Sequence, residues 1–442
     1  MSGYGAIKNE LEIDEESSIS KAERLRKISL AKNGLTVVGT FIFIVGEMAG
    51  CGVLALPKAL VNTGWVGLIL LPILAFNAAY SGVKLGKCWE IVEERYPEYR
   101  AHVRNPYPAI ANVAMGPLAS SIVTTAIRIT LFGAGTVNLL LAAQIFQEIF
   151  GDFLPTITSC TYFLFMAAFV TPLMWFGSPK HFSFVGIGAV VTTSGACILF
   201  FTQMISDATD LKRVQHTQFG FEEFFLGFGA LLFAFGGAST FPTIQNDMKD
   251  KSKFGISVVC AFIAIIILYF PIAIGGYLIF GDQVADNIAV SLGKSLYVEV
   301  GNILMGIHLI FAFLILINPV CQDMEQAFDI PKKFNWRRCV TRTVIILGLI
   351  FVGETIPKFS KILSLIGGST IAMLTFIFPP YLYMKLCDQK SDEWENRFIS
   401  THERVYLWEL IMVGIVGGLA ATYSALISIF GGSSLVKPCY SV

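Results

Sequence analysis

Two short stretches hold most of the residues from which binding chemistry could be built. The first reads Gly46-Glu47-Met48-Ala49-Gly50-Cys51-Gly52-Val53-Leu54-Ala55-Leu56-Pro57. The second reads Leu231-Leu232-Phe233-Ala234-Phe235-Gly236-Gly237-Ala238-Ser239-Thr240-Phe241-Pro242. With Pro57 set on Pro242, Cys51-Gly52 falls on Gly236-Gly237. In a helix interior glycine costs about 1 kcal/mol and proline about 3. Matching interruptions at two points therefore read as deliberate. A helix that stops partway frees N–H groups and a positive dipole end, which dock a carboxylate without a buried Arg. It also frees carbonyls, here at Gly46–Ala49 and Ala234–Gly236, that accept an ammonium or a cation. The candidate binding residues are Gly50, Cys51, Gly52 and Val53 at the first interruption. At the second they are Phe235, Gly236, Gly237, Ser239 and Thr240. Such a set suits a zwitterion. A plainer reading competes with it, because Gly-x-x-x-Gly at 46–50, 82–86 and 414–418 also lets helices pack closely. The pairing of two such stretches favours the site.

Three ionisable residues lie inside apolar runs, where a charge is a functional hypothesis by default. Glu47 stands one turn before the first interruption. Protonated, it would donate to a freed carbonyl and its titration would gate the site; otherwise it sits in a watery vestibule or pairs with a neighbour. Arg128 pairs with Glu47 as a gate, snorkels, or meets substrate. His308 is either a satisfied packing residue or a site and proton-carrying group. Thr130, Phe132, Gly133, Thr136 and Asn138 are offered toward the core by the same run as Arg128, with the helix rotation left open. Glu354, Asp323 and Glu325 read as interfacial and structural.

The chain that must position these groups has 442 residues, 54% hydrophobic and only 14% charged. Soluble domains carry about 25% charged residues, so lipid is the expected solvent. Formal net charge is zero, which leaves no nucleic-acid footprint. Nine cysteines show no CxxC pair and no metal-ligand spacing. A bilayer core needs about 20 apolar residues per helix. Eleven windows qualify, near 34–60, 65–88, 117–147, 157–176, 183–206, 222–247, 255–280, 297–321, 339–356, 361–385 and 404–430. Backbone groups in lipid must bond within the segment, so these windows are helices. The expected fold is an all-α membrane protein with eleven transmembrane helices.

The interruptions fall in the first and sixth windows, which enter from opposite sides. Windows one to five and six to ten then form inverted repeats, about 34–206 and 222–385, with an eleventh helix at 404–430. With the N-terminus cytoplasmic, inner segments hold 24 Lys and Arg and outer segments 7. That asymmetry places the N-terminus inside and the C-terminus, 431–442, outside or in a lumen. The tail 1–33 is polar, with acidic and basic blocks, and reads as disordered. Its Tyr4-Gly5-Ala6-Ile7 resembles an endocytic sorting signal; plasma and endolysosomal membranes both stay open. No cleaved signal peptide is visible and no Asn-x-Ser/Thr sequon occurs. Cys160 and Cys439 share the outer side, where a disulfide between them is possible.

A family resemblance rests on further residues. Gly50-x-Gly52-Val53-Leu54-Ala55-Leu56-Pro57, followed by Gly64-Trp65, resembles the first helix of the amino acid/auxin permease family. Pro106-Tyr107-Pro108, Phe241-Pro242 with Met248-Lys249, and Tyr269 with Gly276-Tyr277 and Phe280-Gly281 continue the match. So do His308, Asn318-Pro319, Ile356-Pro357-x-Phe359, Leu365-Ile366-Gly367 and Phe378-Pro379-Pro380-x-Leu382-Tyr383. The likeness runs over roughly 34–430. It implies the leucine-transporter-like fold, ten core helices and one appended, and transport of amino acids or related small molecules, with membrane lipid and substrate as partners.

The resemblance leaves the coupling ion open. In the related sodium-coupled fold the eighth helix supplies Ser or Thr oxygens to sodium. Between Gly301 and Gln322 this chain has neither residue type. Hard cations need oxygen ligands, so a proton is favoured over sodium as the coupling ion, and no cofactor is expected. No HExxH, GxSxG or paired catalytic carboxylates point to an enzyme. A channel filter usually needs symmetric copies, whereas this repeat is inverted within one chain. A sensor that binds without transporting also fits the sequence. One expectation is direct: Gly52→Val should abolish uptake in a radiolabelled assay while surface expression stays normal, and wild-type rates would remove the first interruption from the site.

Overall fold

The computed structural model describes residues 34–101, 103–176, 182–208, 214–217, 220–331, 333–431 and 437–441. The tail 1–33, with its Tyr4–Ile7 stretch, lies outside them. Each of the eleven apolar windows is helical. The first holds two helices, α1 (Val37–Met48) and α2 (Cys51–Thr63). α3 (Trp65–Arg95) follows after Gly64 alone, whose φ of +63° is a left-handed turn that side chains resist. α4 (Pro106–Met115) is a connector to α5 (Pro117–Phe150), then α6 (Ser159–Trp175) and α7 (Phe182–Ala208). The sixth window is again divided, into α8 (Phe221–Ala234) and α9 (Phe241–Asn246). α10 (Phe254–Phe280), α11 (Leu296–Ala327) and α12 (Trp336–Thr355) are continuous. α13 (Phe359–Ile366) widens into a π-helical stretch, Gly367–Ile377, before α14 (Phe378–Asp388), and α15 (Thr401–Phe430) closes the series.

Among the described residues seven helices are long and apolar enough to cross a membrane, and the bent pair α1–α2 makes an eighth if read as one span. α6 is shorter at 17 residues. Side-chain caps start several helices. The Thr36 hydroxyl accepts from Gly39 N–H at 3.1 Å, and Thr158, Ser295, Asn335 and Ser400 act likewise for α6, α11, α12 and α15.

The two long helices α5 and α11 pack along one another, α7 and α1 lie beside them, and α2 pairs with α8. α2 and α8 run antiparallel. A Cβ on Gly52 would stand 3.0 Å from Ala234 Cα, and one on Gly227 would stand 2.7 Å from the Ala59 carbonyl oxygen. Glycine permits this close approach along the whole pair. The outward faces stay apolar, with Phe76, Phe165, Ile267, Phe351 and Leu419 all well exposed, as a lipid solvent requires.

Several charges inside this apolar body are neutralised in pairs. Arg342 is fully buried; its Nε donates to Glu325 at 2.6 Å and its Nη1 to the Met174 carbonyl at 2.6 Å. Arg338 adds a second contact to Glu325 at 3.2 Å. Lys84 of α3 pairs with Glu403 of α15, which also accepts from Tyr80 at 3.2 Å. Lys251 meets Glu93 at 2.5 Å. A disulfide joins Cys160, at the start of α6, to Cys439 in the C-terminal segment, with Cα atoms 5.9 Å apart.

One main-chain tie stands apart from the helices. Leu35 N–H donates to the Asp247 carbonyl at 2.8 Å, and Lys249 N–H donates to the Leu35 carbonyl at 2.9 Å. It fastens Leu35, two residues before α1, to the segment after α9. Removing one partner of a buried ion pair costs about 3–5 kcal/mol. Arg342→Leu should therefore lower the thermal midpoint in detergent clearly, while a charge-neutral change at exposed Lys294 should leave it in place.

Candidate functional site

The two helix divisions meet. Glu47, Met48, Gly50 and Cys51 from α1–α2 and Phe233, Ala234, Gly236 and Ser239 from α8–α9 line one cavity of about 50 Å³. Thr130, Leu131, Ala134 and Asn138 of α5, His308, Ala312 and Leu316 of α11, and Ile371 of the π-helical stretch complete it. Its volume holds a few waters, since one needs about 10–15 Å³.

Local backbone explains the divisions. α1 and α2 differ in direction by 55°. Ala49 leaves the helical region at φ −80°, ψ 76°, and Gly50 follows at φ −141°, ψ −121°. α2 then restarts at Cys51. Pro57 lies inside α2 and does not break it. The Ala49–Gly50 step makes the break instead. In the sixth window α8 ends at Ala234 and α9 starts at Phe241. Pro242 sits in the first turn of α9, where its missing N–H is no loss.

The freed backbone groups are partly answered by side chains. Tyr269 of α10 is buried, and its hydroxyl donates to the Met48 carbonyl at 2.6 Å and lies 3.4 Å from the Ala234 carbonyl. One hydroxyl therefore bridges the ends of both half-helices. The Met48 carbonyl also accepts from Gly50 N–H at 2.9 Å, and the Gly237 carbonyl accepts from the Thr240 hydroxyl at 3.1 Å. The first turn of α2 begins beside the cavity, where Gly50 and Cys51 form part of its wall and Val53 N–H turns back to the Gly50 carbonyl at 3.2 Å.

Glu47 and Thr240, on opposite sides of the two divisions, are joined: the Thr240 hydroxyl donates to the Glu47 carboxylate at 2.6 Å. His308 is fully buried. Its Nδ1 lies 2.8 Å from the Thr193 hydroxyl and 3.2 Å from the Ala189 carbonyl. Its Nε2 has no hydrogen-bond partner among the described residues. That nitrogen faces Gly50 so closely that a Cβ there would stand 2.6 Å from it. The histidine is anchored on one side by α7 and open toward the break on the other.

Gly50, Cys51, Gly236, Ser239, Glu47 and His308 thus line the cavity directly. Gly52, Val53, Phe235, Gly237 and Thr240 flank it. Gly52 packs on Ala234, and Gly237 lies against Met48. Phe235 is buried beside Tyr269, ring centres 5.9 Å apart. Arg128 is elsewhere. It lies at 3.1 Å from Asp323 at the end of α11, half-exposed, so the Glu47–Arg128 pair weighed from sequence is not made. The rotation of α5 is now fixed: Thr130, Ala134 and Asn138 form one face, and Thr130 donates to Thr370 at 2.6 Å. Gly133 points instead at Ile366.

On the side of the cavity toward Val37 and Asn246 lie the Glu47–Thr240 bond and the Leu35 tie. Above it, toward Thr63 and Phe221, a wider recess of about 280 Å³ opens between α2, α8 and α13.

Two divided helices around a central cavity, in a body of apolar helices, define a membrane transporter. The chain belongs to the family of transmembrane amino acid transporter proteins, which matches residues 33–425. It is a transporter and not an enzyme. Amino acid transporter AVT1J of Arabidopsis thaliana is 23% identical over 88% of this chain and 90% of its own. AVT3B of the same plant is 28% identical, the match spanning 57% of this chain and 58% of that one. Among solved structures, a mutant manganese transporter from Eremococcus coleocola superposes with TM-score 0.57 at 13% identity, covering 89% of this chain and 87% of that one. The nucleobase-cation-symport-1 transporter MHP1, in a closed conformation with bromovinylhydantoin bound, gives 0.55 at 13%, covering 90% of this chain and 91% of that one. At such identity these two likenesses establish the fold alone.

An unmet buried carbonyl costs about 1–3 kcal/mol. Tyr269→Phe leaves Met48 and Ala234 without their shared donor. It should cut the rate of uptake at least several-fold with the protein still folded and at the surface, and an unchanged rate would make the bridge dispensable.

Proposed function

We propose that this chain moves amino acids across a membrane by alternating access about the two helix divisions. The observation that carries the reading is the single cavity into which both divided helices open, with one helix N-terminus, an unpartnered histidine nitrogen and a carboxylate around it. An amino acid's carboxylate would dock on the N–H groups at Cys51 and Gly52. Its ammonium would meet the oxygens of Ser239 and of Gly236, or Glu47. In the proposed topology eleven spans cross the membrane, with α1–α2 and α8–α9 each counted once. The N-terminus is cytoplasmic, as the Lys and Arg asymmetry favours, and two inverted five-helix repeats precede α15.

On this reading the present state is closed on the cytoplasmic side. The Glu47–Thr240 bond and the Leu35 tie bar the inner path, and both must part for release. We infer that Glu47 is the coupling group. While ionised it accepts from Thr240. Protonation removes its charge and weakens that hold, so a proton taken up with substrate loosens the inner closure. Sodium is the less favoured partner, because α11 has no hydroxyl side chain between Gly301 and Gln322.

Purified protein in liposomes, offered radiolabelled amino acids under imposed proton and then sodium gradients, tests the reading. Accumulation of at least one amino acid under a proton gradient is expected, and no flux of any would end it. Glu47→Gln should flatten the rise of uptake with acidity on the loading side. A wild-type pH profile in that variant takes Glu47 off the proton path.

A further inference from the structure

Arg95, the last residue of α3, is a buried cation with no ion-pair partner among the described residues. It is 7% exposed. Its Nη1 donates to the Leu386 carbonyl at 2.6 Å. Its Nε and Nη2 are enclosed and have no hydrogen-bond partner among the described residues. Arg342, also buried, has Glu325. The charged groups beside Arg95 are Arg397 and Glu94, and these are paired with one another.

The edge left over has a particular chemistry. Nε and Nη2 point the same way in the planar guanidinium, and such an edge takes two oxygens of one carboxylate or phosphate. A further donor lies next to it. The Trp394 ring covers the guanidinium, its centre 5.0 Å from Cζ, and its indole N–H is likewise enclosed without a partner. The Trp394 side chain is held there by ring contacts with Arg95 and Tyr96. Buried polar groups need hydrogen bonds and a buried cation needs an anion. Unmet donors around an unmet positive charge call for an oxyanion.

The surroundings point to its source. The segment between α14 and α15 carries Trp394 and Arg397. Beyond Arg397, Ile399 is buried, whereas Phe398 is 92% exposed and so packs on almost nothing in the protein. Val405 and Trp408 of α15 continue the exposed apolar face. Aromatic rings near the end of a lipid-facing helix lie at the level of the lipid headgroups. Asp392, Glu393 and Glu395 of the same segment are exposed, so salt and water screen them. The enclosed guanidinium is screened far less.

We propose that Arg95 and Trp394 form a binding site for the phosphate of an anionic phospholipid at this face of the membrane. Two phosphate oxygens accept from Nε and Nη2 of Arg95, and one of them also accepts from the indole N–H. Phe398 packs among the acyl chains. Trp394 tilts off the guanidinium to admit the phosphate, and its side chain breaks no hydrogen bond in doing so. A choline headgroup would bring a positive charge back beside Arg95, so lipids of net negative charge are preferred.

Native mass spectrometry of the purified full chain tests the site, with phosphatidylglycerol, phosphatidylcholine and inorganic phosphate offered in turn. Wild type should hold phosphatidylglycerol about tenfold more tightly than phosphatidylcholine, the scale of a hydrogen bond to a charged group. Arg95→Met, which keeps the apolar stem, should abolish that preference. Trp394→Phe keeps a ring over the guanidinium, removes only the N–H, and should weaken the preference about threefold; it decides alone if Arg95→Met does not fold. Lys333→Gln with Arg337→Gln, at the basic start of α12, should leave the preference intact. Equal hold on both lipids by wild type leaves the edge to water and overturns the proposal. So does an unchanged preference in the Arg95 and Trp394 variants, or an equal loss in the Lys333 and Arg337 variant. Displacement of the lipid by inorganic phosphate at matched concentration makes the site one for a free anion, and the lipid reading falls.

Discussion

A peptide group inside a body this apolar has to find a hydrogen bond, and everything at the centre of the molecule follows from two places where the helix does not provide it. At Ala49–Gly50 and across Phe235–Thr240 the regular ladder lapses. The Tyr269 hydroxyl answers the carbonyls of Met48 and Ala234 together. That shared donor keeps the two divisions in register, so their open ends face one cavity. The centre is thus shaped by what the backbone lacks, with side chains supplying selected repairs.

The same logic governs charge. Arg342 and Glu325 are enclosed near one end of α11, with Met174 completing the guanidinium's partners. Lys84 and Glu403 fasten α3 to α15. Arg128 takes Asp323. These pairs sit on helices around the core and hold them against one another. The groups at the central cavity, Glu47 and His308, are held differently. Each has a neutral hydroxyl neighbour, Thr240 and Thr193, and no ion-pair partner among the described residues. A hydroxyl restrains without locking, so these two groups are held less firmly than the paired charges around them.

Much of this was legible in the sequence because composition reports on solvent. Runs of about 20 apolar residues locate the helices, and every window proved helical. Glycine near the centre of an apolar run located both divisions to within two residues. What could not be read was anything set by rotation or by partners distant along the chain. Pro57 looked like a breaker and is an interior residue of α2, because the break came from the backbone angles of Ala49 and Gly50. Arg128 looked available to Glu47, but Asp323, 195 residues away, claims it. Tyr269 was noticed only within a family motif. A tyrosine in a very apolar helix, with a hydroxyl that needs an acceptor, was the signal that pointed to a backbone oxygen left over elsewhere.

The strand-like tie at Leu35 carries a consequence of another kind. It is made entirely by amides and carbonyls, so it is blind to the identity of the residues that bear them. Substitutions at 35 or at 247–249 can accumulate without loosening it, provided that neither donor nitrogen becomes part of a proline ring. A scan by alanine would pass over this fastening in silence. Relatives could keep it intact while their sequences drift apart around it.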